Sequence, residues 1–226
     1  MSGAAVNRLV GEAGPSRHVP EELLVDYASG ASSVAVAMTV AAHLSYCPVC
    51  RAELSRLEAL GGAMFESAED SPLPESALTS VLARLDTPVP PPPPLPAFVS
   101  GLPRPICQYV GQPLERLPWR TRLPGFAEYR LPVPSGQGKV SLLRIRPGRS
   151  MPQHTHEGNE LVLVLRGSYT DALGHFGPGD VAVADADVDH RPVADMGQDC
   201  VCLAVTDAPL RLTGSVGRMF ARFVRF

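Results

Sequence analysis

The sequence predicts two domains of different class: a small all-α helical bundle, followed by an all-β domain of the jelly-roll or β-sandwich barrel type. Helix-capping residues and helical spacing of apolar residues occupy the first 85 positions. Seven of residues 88 to 96 are proline. After this run come short apolar segments separated by glycine and proline turns, as in all-β folds. These three observations divide the chain in two.

The 226 residues suffice for two modest domains that each bury a core. We predict an N-terminal extension (1–15), a helical domain (16–86), a proline-rich linker (87–97) and a β domain (98–226). Consecutive prolines cannot continue a helix or a central strand, and they favour an extended polyproline II spacer. A docking sequence for a proline-recognition domain is the alternative role of this run.

Three short helices are expected to form the bundle. The first lies in "VPEELLVDYASG", where Pro20 suits the first turn and Gly30 suits the C-cap. The second, "SSVAVAMTVAAHLSY", has Ser32 or Ser33 as its N-cap. The third, "CPVCRAELSRLEALGGAMFE", has Pro48 near its first position.

A fourth helix, "PESALTSVLARLD", is polar except for one apolar stripe with i, i+3, i+4, i+7 spacing, formed by Leu78, Val81, Leu82 and Leu85. Up to Leu85 the chain has five arginines and ten acidic residues, whereas the remainder has fifteen basic and thirteen acidic residues. An acidic helical domain with such a stripe suits a basic protein partner. Packing of the stripe within its own bundle is an equally good interpretation.

Charge and hydropathy exclude other classes of partner. The formal net charge is -3, so there is no basic excess for direct DNA or RNA binding. No segment has the roughly 18 consecutive apolar residues of a membrane span, and the first residues lack a signal-peptide pattern. We therefore expect a cytoplasmic protein. Its five cysteines, an odd number, indicate metal ligands or reactive thiols and not a disulfide framework.

Histidine and cysteine are concentrated in "HLSYCPVC", which contains His43, Cys47 and Cys50. The end of the second helix and the start of the third bring these side chains together, and His18 can supply a fourth ligand for tetrahedral zinc. Such a zinc ion would stabilise a bundle that is small for its core. The helix N-terminus is expected to lower the cysteine pKa. A redox-active thiol pair and chance clustering are the alternatives, but a thioredoxin-like pair follows a strand, whereas a helix precedes this one.

The β domain is expected to have strands in "KVSLLRIRP", "ELVLVLRGSYT", "DVAVADA" and "DCVCLAVTD". Its second cluster comprises His154, His156, Glu160 and His190. Two histidines that are two residues apart on a strand project from the same face. Three imidazoles and one carboxylate suit zinc, iron, manganese or nickel, and we expect zinc without excluding the others.

Three further cysteines and one histidine lie in this half. Cys200 and Cys202 share a face of one predicted strand, either as small buried side chains or as a thiol pair that responds to oxidants. Cys107 is expected to be structural, and His175 is expected to be a surface turn residue without a role.

The second cluster carries a resemblance to a known fold family. Gly148, five residues, His154-x-His156, three residues, Glu160, six residues and Gly167 resemble the first cupin motif. His190 follows "GPGD" at the position where the second cupin motif places its histidine. Because all four ligand positions are filled, we expect a metal-binding cupin and not a metal-free one.

The first cluster extends the resemblance over nearly the whole chain. H-x3-C-x2-C with an upstream histidine resembles zinc-binding anti-sigma factors, and the added cupin, with "DCVCLAVTDAPLRLTG", resembles the ChrR family. The resemblance implies a cytoplasmic anti-sigma factor that binds a group IV (ECF) sigma factor. It also implies that the cupin senses singlet oxygen or organic peroxides. The zinc ligands that the resemblance implies are the residues of the two clusters: His18, His43, Cys47 and Cys50 in the first, and His154, His156, Glu160 and His190 in the second.

Two other functions fit the residues. Three histidines and a glutamate in a cupin also occur in dioxygenases and related metalloenzymes, although the helical half would then be unexplained. Alternatively, the cupin only supports a dimer of an interaction protein. We favour a non-enzymatic regulator, and the sequence assigns no oligomeric state.

Overall fold

The computed structural model describes residues 14–85, 88, 91, 101–133 and 138–214. Most of the expected N-terminal extension and of the proline run lies outside these residues. The first half contains four helices: α1 (Glu21–Ala28), α2 (Val34–Leu44), α3 (Pro48–Glu66) and α4 (Ala77–Leu85). Within the described parts of the chain, no helix is both long and apolar enough to cross a membrane.

Local capping explains where two of these helices begin. Ser33 is the N-cap of α2, and its Oγ accepts a hydrogen bond from the backbone N–H of Val36 at 3.3 Å. Cys47 is the N-cap of α3, and its Sγ accepts from the N–H of Cys50 at 3.3 Å. Helix α3 has 19 residues, so it is not the short helix that we expected. Most of its length is exposed to solvent.

The second half is built from antiparallel strands. In the order of the chain, they are β1 (Arg120–Leu123), β2 (Phe126–Arg130), β3 (Lys139–Ile145), β4 (His154–His156), β5 (Glu160–Arg166), β6 (Tyr169–Asp171), β7 (Gly174–Phe176), β8 (Val181–Ala184), β9 (Val193–Ala194), β10 (Cys200–Thr206) and β11 (Leu210–Leu212). One sheet has the order β1-β2-β3-β10-β5-β8, and β11-β4 and β7-β6-β9 form smaller sheets. The predicted combination of a helical part and an all-β cupin is confirmed.

A fifth helix, α5 (Arg104–Val110), precedes the strands and is followed by a single 3-10 turn, Leu114–Arg116. The sequence analysis missed both elements, because it expected no helix after the proline run. Helix α5 has only seven residues, too few to display a helical period. It ends at Gly111, whose φ of 68° is a left-handed C-cap conformation.

The main sheet is buried on both faces, which explains its nearly continuous apolar sequences. Alternate residues of β5 and β10, such as Leu163 and Leu203, pack with α2 and α5 in one hydrophobic core. The intervening residues, such as Val164 and Cys202, point into a second core inside the β domain. The helical part therefore packs on the outer face of the sheet, while the second metal cluster lies on the inner side.

Candidate metal centres

The first cluster forms where three segments of the helical part meet. His43 lies in the last turn of α2, Cys47 and Cys50 lie at the start of α3, and His18 precedes α1. One donor atom from each of the four residues lies within 4.8 Å of every other. Nδ1 of His18 is 3.3 Å from Sγ of Cys47, and Nε2 of His43 is 3.2 Å from Sγ of Cys50.

These separations match a tetrahedral zinc site. Ligand atoms about 2.0–2.3 Å from a common tetrahedral centre lie about 3.3–3.8 Å from one another. The distance from Nδ1 of His18 to Sγ of Cys50 is 3.7 Å, which also lies in this range. Two thiols and two imidazoles are also the donor set that structural zinc prefers. The four residues therefore fit a closed zinc site in both chemistry and spacing.

Burial shifts the pKa values of two residues in this cluster, His43 and Cys50. Burial lowers the pKa of His43, which keeps the imidazole neutral. Its Nδ1–H donates to the carbonyl oxygen of Gly179 at 2.7 Å, so the lone pair of Nε2 faces the cysteines. Burial raises the pKa of Cys50 to about 11. The expectation that the pKa of Cys50 is lowered was wrong, because desolvation of the thiolate by burial outweighs the backbone hydrogen bond at Val19.

The second cluster lies inside the β domain. His154 and His156 are on β4, Glu160 begins β5, and His190 lies in the segment that pairs with His154. All four side chains are buried, and their donor atoms lie within 4.8 Å of one another. Nε2 of His190 is 3.1 Å from Nε2 of His154 and 3.2 Å from Nε2 of His156. Nε2 of His156 is 3.7 Å from Oε2 of Glu160.

The hydrogen bonds around two of these rings leave Nε2 of each ring facing the other. Nδ1 of His154 donates to the carbonyl oxygen of Pro152, and Nδ1 of His190 donates to Oδ2 of Asp171, both at 2.8 Å. In the neutral form of such a ring, which is the form that binds a metal, an N–H at Nδ1 leaves Nε2 with only a lone pair. Two lone pairs 3.1 Å apart repel each other instead of forming a hydrogen bond. A metal ion that both nitrogens coordinate would remove this repulsion.

Burial also shifts the pKa values of three ligands in the second cluster. It lowers the pKa values of His154 and His156 to about 4, so both rings are neutral near pH 7. Burial raises the pKa of Glu160 to about 7. The carboxylate of Glu160 is thus poorly solvated, and a cation is the partner that would compensate for this.

A small cavity extends from the second cluster into the β domain. Its volume is about 40 Å³, and Glu160, Met151 and Glu128 are among the residues that line it. This volume accommodates a few water molecules or a very small ligand. The cavity therefore meets the second cluster at Glu160.

The remaining predicted residues lie outside both clusters. Cys200 and Cys202 are buried, with their Sγ atoms 3.6 Å apart. The hydrogen bond between them and burial both raise the pKa of Cys202. Cys107 is buried on α5, and His175 is exposed and contacts Asp195 at 2.9 Å. The apolar stripe of α4 is exposed, its four side chains being between 52% and 73% accessible to solvent.

Sequence reasoning missed the residues that orient the clusters from outside. Asp171 holds His190, and Gly179 and Asp180 hold the segments that carry His43 and His18. Gly179 is separated from His43 by 136 positions, and no local pattern links the two residues. The "GPGD" turn was the one available signal, because an aspartate after such a turn commonly accepts backbone N–H bonds.

Comparisons with known proteins agree with this architecture. Residues 109–209 match the family model of the ChrR cupin-like domain. The anti-sigma-E factor ChrR of Cereibacter sphaeroides is 41% identical over 208 residues, which are 92% of this chain and 97% of that protein. A crystal structure of Rhodobacter sphaeroides SigE in complex with the anti-sigma ChrR matches with a TM-score of 0.72 and 42% identity, covering 84% of this chain and 98% of that one.

The similarity extends over both halves of the chain, so it includes the helical part with its histidine and cysteine cluster as well as the cupin. With this coverage and identity, the chain belongs to the ChrR family of anti-sigma factors.

Proposed function

We propose that this protein binds a group IV (ECF) sigma factor in the cytoplasm and inhibits it until oxidative stress releases the sigma factor. The observation that carries the proposal is the match over 97% of a relative named as an anti-sigma factor. A relative of the same family has been crystallised with SigE, which supports a sigma factor as the class of partner. The partner of this chain is then a protein, and the chain needs no direct contact with nucleic acid.

The proposed contact surface for sigma is the apolar stripe of α4: Leu78, Val81, Leu82 and Leu85. Helix α4 buries none of its residues against the described parts of the chain. The second half of α3 adds exposed apolar side chains, of which Phe65 is 83% accessible. Large apolar side chains in this number on neighbouring helices are typical of an interface that a partner covers.

We propose that the first cluster (His18, His43, Cys47 and Cys50) holds a structural zinc ion. Its four protein ligands would leave no position for a substrate, so the ion would fix the geometry of the helical part. The second cluster (His154, His156, Glu160 and His190) would hold zinc or another borderline divalent metal. We place the sensing of singlet oxygen or organic peroxide in this half, because the cavity reaches Glu160, a predicted ligand of that metal.

A metalloenzyme is the second candidate function, and the cavity at the second cluster favours it. Catalysis at the cupin would, however, leave the exposed apolar surface of α3 and α4 without a role. We therefore propose a regulator without catalytic activity. The thiol pair Cys200 and Cys202 is a possible second site of oxidation within the same half.

Co-expression of the full chain with an ECF sigma factor encoded beside it tests the proposal. We expect a stable 1:1 complex, two metal equivalents per chain and inhibition of transcription by the sigma-loaded polymerase. Peroxide treatment of the complex should release active sigma. Absence of a complex, together with turnover of a small molecule by the metal-loaded cupin, would favour the enzyme instead.

A further inference from the structure

One segment contacts both metal clusters. It consists of β6, β7 and the turn that follows, residues 169–180, and we call it the bridging hairpin. At the cupin end, Oδ2 of Asp171 accepts the hydrogen bond from Nδ1 of His190 at 2.8 Å. The side chain of Asp171 is 1% exposed, and its Oδ1 accepts from the N–H of Leu173 at 2.8 Å. The carboxylate therefore fixes both the tip of the hairpin and the ring of a predicted metal ligand.

The other end of the bridging hairpin holds the first cluster. The carbonyl oxygen of Gly179 accepts from Nδ1 of His43 at 2.7 Å. The buried carboxylate of Asp180 accepts from the backbone N–H groups of Ser16 and Arg17 at 2.6 and 2.8 Å. These two residues directly precede His18. Two of the four predicted zinc ligands are thus placed by consecutive residues of the hairpin.

The segment before His18 also lies along the length of the hairpin. Nη2 of Arg17 donates to the carbonyl oxygen of Leu173 at 3.2 Å, next to the tip that Asp171 fixes. Its guanidinium lies 5.4 Å from the ring centroid of Phe176, and that ring stacks on Tyr169. Arg17 therefore touches both ends of the bridging hairpin, and a shift of the hairpin tip would move the backbone that carries His18.

We propose that Asp171 and Asp180 are positioning residues for the two metal clusters, and that the bridging hairpin couples metal binding at one cluster to metal binding at the other. The proposal rests on the metal binding proposed above. A metal at the cupin cluster would fix His190, and through Asp171 it would fix the hairpin. The fixed hairpin presents Gly179 and Asp180 to the first cluster in the orientation that holds its ligands. Partners of this kind commonly change metal affinity 10- to 100-fold.

The experiment uses the full chain loaded with Co²⁺ and titrated with a competing chelator. Only the first cluster contains cysteine, so the thiolate-to-cobalt absorption band reports on that cluster alone. His156→Ala empties the cupin cluster at a ligand that the bridging hairpin does not hold. We expect this variant to weaken Co²⁺ binding at the first cluster about 10-fold. Asp171→Asn should act in the same direction, because it weakens the hold on His190 without removing a ligand.

Two further variants separate coupling from general damage. Asp180→Asn should weaken the first cluster directly and should abolish any further effect of His156→Ala, as a double-mutant cycle would show. Asp195→Asn is the matched control, because Asp195 accepts hydrogen bonds from Thr170 and His175 of the hairpin and contacts neither cluster. This control should leave the cobalt band and the affinity unchanged.

The outcomes distinguish this proposal from the proposed function. Unchanged affinity at the first cluster, in a His156→Ala chain whose cupin is shown by metal analysis to be empty, would overturn the coupling alone. A wild-type chain that binds no metal at the cupin cluster would overturn the metal part of the proposed function, and the coupling with it. Coupling must be reciprocal, so Cys47→Ser should weaken metal binding at the cupin by the same factor.

Discussion

Glu128 is a buried carboxylate beside the cavity of the second cluster, and three side chains surround it. Its carboxylate accepts hydrogen bonds from Arg122 at 2.7 Å and from Ser141 at 2.8 Å, and it pairs with Lys139. Burial alone would raise the pKa of Glu128, but the three partners together outweigh burial and hold the pKa below its ordinary value. The ionised form of Glu128 therefore stabilises the folded state.

We predict that Glu128→Gln lowers the free energy of unfolding by about 1–3 kcal/mol at pH 7, because Arg122 and Lys139 lose the negative charge with which they pair. Since the pKa is lower in the folded state, the unfolded state binds more protons in acid. The stabilisation is present at pH values above the pKa of Glu128 in the unfolded state, which is near 4.5. It is lost as the pH falls through the lower pKa of Glu128 in the folded state. Urea unfolding of both proteins at pH 7 and near pH 3 measures this. A difference that does not depend on pH would contradict the prediction.

Glu115→Gln is the control for this measurement. Glu115 also pairs with an arginine, Arg166, at 3.0 Å, but its side chain is exposed. Exposed ion pairs contribute about 0–1 kcal/mol, so the control should have little effect on unfolding at pH 7.

Tyr46 follows α2 and is buried at the contact between the helical part and the cupin. Among the described residues, its hydroxyl has no hydrogen-bond partner. An unsatisfied buried hydroxyl costs about 1–3 kcal/mol. Tyr46→Phe keeps the ring and removes this group, so we predict an unchanged or higher melting temperature in calorimetry. A fall in the melting temperature of several degrees would show that the hydroxyl is satisfied in solution.

At the level of single residues, the sequence predicted which side chains meet but not which groups orient them. His43, Cys47 and Cys50 lie close together in the chain, and Pro48 marks the helix boundary between them. Asp171 has no such mark, because an aspartate in "YTDALG" resembles an ordinary turn residue. Its role depends on the packing of β6 beside His190, which is 19 positions away.

At the level of elements, α4 presents its apolar side to solvent, as the second half of α3 also does. The sequence analysis left two interpretations of this stripe open. Among the described residues, the stripe does not pack within the bundle, because α4 has no buried residue. Contact with a sigma factor remains the proposed role.

We predict that Leu78→Asp together with Leu82→Asp weakens capture of the sigma factor at least 10-fold, because two apolar anchors become charged. Both positions are exposed, so the melting temperature and metal content should not change. Co-purification of sigma with each variant measures the effect. Met196→Asp is the control, since it places an aspartate at an exposed apolar position of the cupin. Wild-type capture by the folded double variant would exclude α4 as an anchor.

The helices differed in how well their sequences predicted them. Ser33, Pro48 and Gly30 marked helix ends correctly, because capping is a local interaction. Helix α5 also has local signals, Pro105 near its start and Gly111 at its C-cap, but its seven residues are held mainly by the packing of Ile106 and Val110 in the shared core. In so short a segment, tertiary contacts of this kind produce no recognisable helical spacing of apolar residues in the sequence.

At the level of the whole molecule, the helical part and the cupin share one hydrophobic core. Val40 of α2, Ile106 of α5 and Leu163 of β5 belong to the same cluster. A proline-rich connection predicts spacing between two domains, but it does not predict the contact that their apolar faces make. The apolar runs of β5 and β10 predicted strands, but they did not predict which element covers the outer face.

The two halves approach each other closely at Gly179, which has a φ of +89°. A Cβ atom there would lie 2.8 Å from Cγ of Pro15 and 3.0 Å from Cβ of Tyr46. Gly197 also has a positive φ, +112°, but an added Cβ would meet no atom within 4 Å. Alanine at either position has a backbone cost of about 1–3 kcal/mol, but only at Gly179 does it also push the halves apart.

We therefore predict that Gly179→Ala separates the helical part from the cupin, whereas Gly197→Ala only lowers stability. The backbone amides of Ser16 and Arg17 report on this directly, because they lie in exposed residues and are protected by Asp180 of the other half. Their hydrogen exchange should accelerate at least 10-fold more in Gly179→Ala than in Gly197→Ala when both are compared at equal global stability. Equal exchange in the two variants would mean that Gly179 contributes only its backbone conformation, and that the two halves remain joined by their shared core.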